Sequence, residues 1–172
     1  PGIGSRPAMR RHYGHAGCRA DDRRHSVEPL VIGLGEWAQD CLVVEIPDPN
    51  LDPGLLMWDV QRNIDADALP PSPRIVVEFE LHGTYGMAGR WWLHIEHKQV
   101  ELCNSYTGFE NDLVIRANVR HLTEVRMGQI SVSKAIASKK LVLEGDRELR
   151  QTFPVWFTLS NFAPRALKKA GP

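Results

Sequence analysis

His94, Ser105 and Asp112 are the residue types of a hydrolytic triad, in which an imidazole takes a hydroxyl proton and a carboxylate holds the ring. With 7 His and 21 Asp plus Glu in 172 residues such triples arise cheaply, and no G-x-S-x-G elbow surrounds any serine. His94, His97 and His121 lack the H-E-x-x-H spacing or a comparable ligand set. His94-Ile95-Glu96 places two polar side chains on one strand face, where a solvated pair is expected. His12, His15 and Cys18 offer three metal ligands without a fourth at a familiar zinc spacing. Leu30-Val31-Ile32 followed by Gly33-Leu34-Gly35-Glu36-Trp37-Ala38 satisfies the dinucleotide fingerprint G-x-G-x-x-A. That chemistry needs a helix whose N-terminus faces the pyrophosphate. Here the chain soon reaches Pro47 and Pro49, which leaves too little helix. A Walker-type loop is absent, so the expectation is a non-catalytic protein without metal or cofactor.

The remaining signal is apolar. In Arg74 to His82, Ile75, Val77, Phe79 and Leu81 alternate with Glu78, Glu80 and His82, a strand with one apolar face. Arg90 to His97 repeats the period, Val100 and Leu102 mark a third strand, and Asp112 to Val119 a fourth. Leu141 and Leu143 give a short fifth, so a largely antiparallel sheet covered on one side is expected. Trp91 and Trp92 must point to opposite faces, and the one leaving the core is expected under the Trp58 or Trp37 helix.

Helices surround these strands. Ser26 can cap one carrying Leu30, Leu34, Trp37, Ala38 and Cys41. Asp52-Pro53 caps another, running to about Asp65, with Leu56, Val60 and Ile64 on one face and Asp59 near Arg62. Leu122 and Val125 mark a short helix ending at Gly128, and Ser131 or Ser133 starts the next, with Val132, Ala135 and Ile136 inward. Asp146 caps a last helix that buries Leu149, Phe153 and Trp156, with Phe157 a further candidate, and a break or kink is expected at Pro154.

Composition bounds the rest. Apolar residues make up 42% and charged residues 24%, a globular balance. Lys plus Arg equal Asp plus Glu at 21, so no global charge draws the chain to nucleic acid or anionic membrane. No apolar run is long enough to span a bilayer. Cys18, Cys41 and Cys103 suit buried thiols in a cytoplasmic protein. Pro1 to Val27 holds six Arg against two Asp and shows no apolar period, so a disordered basic segment is expected there. The chain opens on Pro1, with its first methionine at Met9, and reads as a fragment, a processed chain or a damaged start.

Leu51-Asp52-Pro53-Gly54-Leu55-Leu56-Met57-Trp58, Arg90-Trp91-Trp92-Leu93, Glu101-Leu102-Cys103 and Leu122 through Gly128 carry a resemblance. Leu143 through Leu149, Phe153-Pro154-Val155-Trp156 and Leu159 through Ala163 complete it. The stretch Leu51 to Ala163 resembles the sterol carrier protein type 2-like domain at the C-terminus of HxlR-type winged-helix transcriptional regulators. Glu28 to Trp37 looks like the last, dimerisation-assisting helix of the winged-helix half. The helix-turn-helix and wing that would precede it do not match Pro1 to Val27, so DNA binding is expected only of an intact full-length relative.

The resemblance implies an α/β (α+β) fold: a five-stranded, mainly antiparallel sheet with helices on one face. It divides the chain into a segment 1–27, a remnant helix 28–45, a ligand-binding domain 50–163 and a tail 164–172. It also implies an apolar cavity between sheet and helices for a lipid-like molecule, and a homodimer. Val77, Phe79, Leu93, Leu102, Leu113, Ile115, Phe153, Trp156 and Phe157 are the residues expected to line that cavity. The same list would serve a solid core. The leading expectation is the ligand sensor of a truncated regulator; the alternative is a free-standing lipid carrier or dimerisation module.

Overall fold

The computed structural model describes residues 20–41, 50–83 and 89–163. Its elements are α1 (Ala20–Cys41), α2 (Pro53–Asn63), β1 (Arg74–His82), β2 (Arg90–Glu96), β3 (Gln99–Cys103) and β4 (Leu113–Asn118). The chain continues through α3 (Val119–Arg126), α4 (Val132–Ala137), β5 (Leu141–Gly145) and α5 (Arg147–Trp156). The caps form as their residue types dictate. Asp52 accepts from the Gly54 and Leu55 amides with Pro53 behind it, Ser131 accepts from Lys134, and Asp146 accepts from Leu149.

Five strands form one sheet in the order β3-β2-β1-β4-β5. Three of its pairings are antiparallel, and the central one, β1 with β4, is parallel. A parallel pair needs a crossover. After β3 at the sheet edge, residues 104–112 recross β2 and β1 on the face away from the helices, before β4 begins beside β1. Tyr106 meets Trp92 edge-on at 6.2 Å, and Phe109 stacks on His94 at 5.3 Å. Asp112 accepts the Val76 amide at 2.8 Å.

This strap corrects two expectations. Trp92 does leave the core side, yet Tyr106 of the strap, not the Trp58 or Trp37 helix, lies against its ring. His94 and Glu96 are no solvated pair either: His94 is largely covered, 3.8 Å from Glu96. Strand β1 is therefore buried on both faces along most of its length, which erases the simple alternation there.

The other face carries the core. Odd-numbered residues of β1, β2 and β4 meet Leu56, Met57 and Val60 of α2, Val119, Leu122 and Val125 of α3, and α5. Ala135 is buried and Val132 packs against the core, whereas Ile136, expected inward, is 37% exposed. Asp59 pairs with Arg126 and not Arg62, whose guanidinium lies over Trp58 at 4.7 Å. Of the break or kink expected at Pro154, the break does not occur: α5 runs on through Pro154 to Trp156. An interior proline costs about 3 kcal/mol. Burying Phe153 and Trp156 stabilises by roughly 1.5–3 kcal/mol each, which offsets that cost.

Helix α1 starts at Ala20, so Ser26 lies inside it and residues 20–27 are helical, not disordered. The lack of an apolar period does not lower helix propensity, and no Gly or Pro interrupts 20–27. Both fingerprint glycines sit within this helix, not in a strand-to-helix loop. A Cβ on Gly33 would meet open space, while one on Gly35 would come 2.5 Å from the Phe162 ring. Gly35 is thus a packing position, which removes the nucleotide reading. The segment containing His12, His15 and Cys18 lies outside the described residues, as do 42–49 and 164–172. Cys41 is exposed, against the expectation of a buried thiol, because α1 leaves that end uncovered.

Gly145 shows where backbone geometry dictates sequence. Its φ is +128°, and a Cβ would stand 2.3 Å from the Asp112 carbonyl oxygen. Gly145→Ala is expected to destabilise by at least about 2 kcal/mol, read as a lower urea midpoint at unchanged slope.

Candidate functional site

The nine residues expected to line an apolar site come together. Val77 and Phe79 on β1 stand beside Leu93 on β2 and Leu113 and Ile115 on β4, all buried on the helix-covered face. Leu102 pairs with Leu93 from the edge strand and is partly buried against the same cluster. Phe153, Trp156 and Phe157 close the layer from α5 and its C-terminal end. The Phe153 ring stacks on Phe157 at 4.6 Å and meets Trp156 edge-on at 4.8 Å. Phe79 lies 6.4 Å from Phe157, so sheet and helix rings touch directly. Trp156 satisfies its own N–H on the Leu149 carbonyl at 3.2 Å.

One polar atom in this layer was not foreseen. Trp91 lies on the helix-covered face beside Phe79, packed against the cluster. Its Nε1 is shut off from solvent and finds no hydrogen-bond partner among the described residues. An unmet buried donor is costly. The strand register could have located Trp91 on this face, but nothing in the sequence signals a missing acceptor.

A polar latch closes the helix side. Arg126 is 1% exposed and donates from Nη2 and Nε to Asp59 Oδ2, at 2.7 and 3.1 Å. It also donates to the Thr158 carbonyl oxygen and lies over the Phe157 ring at 5.2 Å. Ser160 donates its hydroxyl to Asp59 Oδ1 at 2.9 Å, and Thr158 donates to the Asn63 carbonyl. Burial lowers the Arg126 pKa, while attraction to Asp59 and their hydrogen bonds oppose the shift. The latch thereby ties α2, α3 and the segment after α5 together over the apolar layer. Arg126 and Asp59 are separated by 67 positions, so spacing gave no hint of their pairing.

The triad does not assemble as a relay. Asp112 is engaged by the Val76 amide, His94 is stacked on Phe109, and Ser105 is exposed. Among the described residues no three His, Cys, Asp or Glu side chains converge as metal ligands. Nor is any helix there long and apolar enough to cross a membrane.

The profile of the SCP-2 sterol transfer family matches residues 61–157, more than half of the chain. The chain belongs to the SCP-2 sterol transfer family. No curated protein sequence matches it significantly. Among solved structures it is similar to Sterol Carrier Protein 2 Like 2 from Aedes aegypti. That match has 14% identity and a TM-score of 0.44, over 59% of this chain and 92% of the other. It is also similar to the UbiJ-SCP2 ubiquinone synthesis protein, at 21% identity and a TM-score of 0.39 over 75% and 94%. A third is the sec-alkylsulfatase Pisa1 from Pseudomonas sp., at 14% identity and a TM-score of 0.44. There the SCP-2 match covers 59% of this chain but 16% of the sulfatase. The family match bears out the SCP-2 part of the expected resemblance; the HxlR-type part stays a proposal.

Proposed function

We propose that this SCP-2 family chain binds one apolar, lipid-like molecule between sheet and helices, without catalysing a reaction on it. The observation that carries the reading is the single apolar layer formed by the nine residues from Val77 to Phe157, with the Trp91 N–H at its margin. Affinity in such a layer comes from apolar area removed from water, at ~25 cal/mol/Å². The Phe153 and Phe157 rings must part for a ligand to enter, because they are already in contact. A terminal oxygen on the ligand would supply the acceptor that Trp91 lacks. The ligand is therefore an amphiphile with a long apolar body and one oxygen head.

We further propose that the chain is the ligand sensor of a transcriptional regulator. Helix α1 displays Val27, Leu30, Leu34, Trp37 and Cys41 at alternating spacings of three and four, the pattern of a coiled-coil seam. The first four are more than half exposed and Cys41 is exposed. A second copy would cover this seam, and ligand uptake would act on a DNA reader through that dimer in a full-length cytoplasmic relative. The alternative, a free-standing carrier, needs only the apolar layer.

Native mass spectrometry and thermal shift with hexadecanoic acid, hexadecanol and hexadecane test the binding reading. One-to-one complexes and a raised Tm are expected with the acid and the alcohol, more weakly with the alkane. A chain indifferent to all three would remove the proposal.

A further inference from the structure

The second face of the sheet holds a cluster of buried polar atoms of its own. Glu78 is 5% exposed, and its Oε2 accepts from Asn111 Nδ2 of the 104–112 strap at 2.5 Å. Its Oε1 is shut off from solvent without a hydrogen-bond partner among the described residues. The Nε of exposed Arg90, 3.6 Å away, is too far to donate well. Arg90 donates instead to Glu80 at 2.9 Å, Arg74 is paired with Glu96, and Arg116 with Glu80 and Glu144. Thr107 Oγ1, Asn111 Oδ1 and Trp92 Nε1 are equally buried and unpartnered. Trp92 stands directly opposite Glu78 across the β1–β2 pair. Exposed Tyr106 meets the Trp92 ring edge-on beside them.

We propose that this cluster is a second binding site, separate from the apolar layer, for a small amino alcohol that enters beneath the 104–112 strap. Its ammonium donates to Glu78 Oε1 and the strap oxygens, and its hydroxyl accepts from Trp92 Nε1. A buried carboxylate short of donors favours a cation beside it; Phe109 takes no part, since Arg74 lies over its ring and His94 stacks on it. A divalent metal fits poorly, since Glu78 brings no second and third ligand of the usual kinds with it. The carboxylate oxygen that accepts no hydrogen bond and the indole N–H, on adjacent strands, match the two ends of such a molecule.

Titration of the full chain with ethanolamine, followed at the Trp92 indole N–H by NMR, tests the site. Trp92→Phe assigns the resonance. A saturable shift is expected with ethanolamine and a weaker one with ethylamine. Glu78→Gln, which can still accept from Asn111, should weaken binding about tenfold or more. Thr107→Val, a milder change at the strap, should weaken it as well. Vesicles of phosphatidylethanolamine in phosphatidylcholine form a parallel arm, since a lipid head group carries the same ammonium. A shift there alone would assign the source to a membrane lipid, though with an ester in place of the hydroxyl. No saturable shift in either arm would overturn the proposal. So would equal binding by Glu78→Gln in a variant whose spectrum shows it folded.

Discussion

Arg126→Met is expected to destabilise the domain by about 3–5 kcal/mol, the usual cost of breaking a buried ion pair by removing one partner. The guanidinium is 1% exposed and its Asp59 partner 19%, so little solvent screens the pair. Removing Arg126 leaves the Asp59 carboxylate with Asn63 Nδ2 and the Ser160 hydroxyl, both on Oδ1, and with Oδ2 stripped of its cation. It also leaves the Thr158 carbonyl without the guanidinium. Replacing both partners, Arg126→Met with Asp59→Leu, should recover a large part of the loss, because no buried charge then remains. Urea denaturation of the two variants decides the point. A double variant as unstable as the single one would show that chain geometry, not charge pairing, dominates. A single variant within about 1 kcal/mol of wild type would mean that the latch is solvated.

Phe153→Ala should be the comparable loss in the apolar layer, about 3–5 kcal/mol. The ring is fully buried between Trp156 and Phe157, and its removal opens a void that the stiff sheet cannot close. If the layer is a ligand site, the void is also an enlarged seat. A bound amphiphile should then restore more stability to the variant than it adds to wild type. Binding to the native state alone contributes about 2.7 kcal/mol at a hundredfold excess over Kd. Thermal unfolding with and without hexadecanoic acid measures both quantities in one series. Equal ligand shifts in the two proteins would place the ligand away from Phe153.

Much of this architecture was legible in the residues because caps and alternation act locally. Asp52-Pro53, Ser131 and Asp146 begin their helices as their chemistry requires, and the five strands lie where the period of two placed them. The nine apolar positions share one cluster because strand parity and helix spacing both select a face. What escaped was non-local. The parallel β1–β4 pairing and the strap over Trp92 depend on where a polar connection crosses, which no periodicity records. The Arg126–Asp59 latch joins residues far apart in the chain. Pro154 misled because local helix propensity yielded to aromatic burial around Phe153. Gly33 and Gly35 misled in the opposite way, since a short motif can be satisfied inside a helix.

The most direct test of lipid uptake is a set of intermolecular nuclear Overhauser effects from carbon-13-labelled hexadecanoic acid to the protein. Uptake between sheet and helices should give contacts from the acyl chain to Phe153, Phe157 and Ile115, together with a shifted Trp91 indole N–H. Contacts confined to exposed apolar residues such as Leu55, Trp58 and Leu30, with those core resonances unmoved, would contradict it.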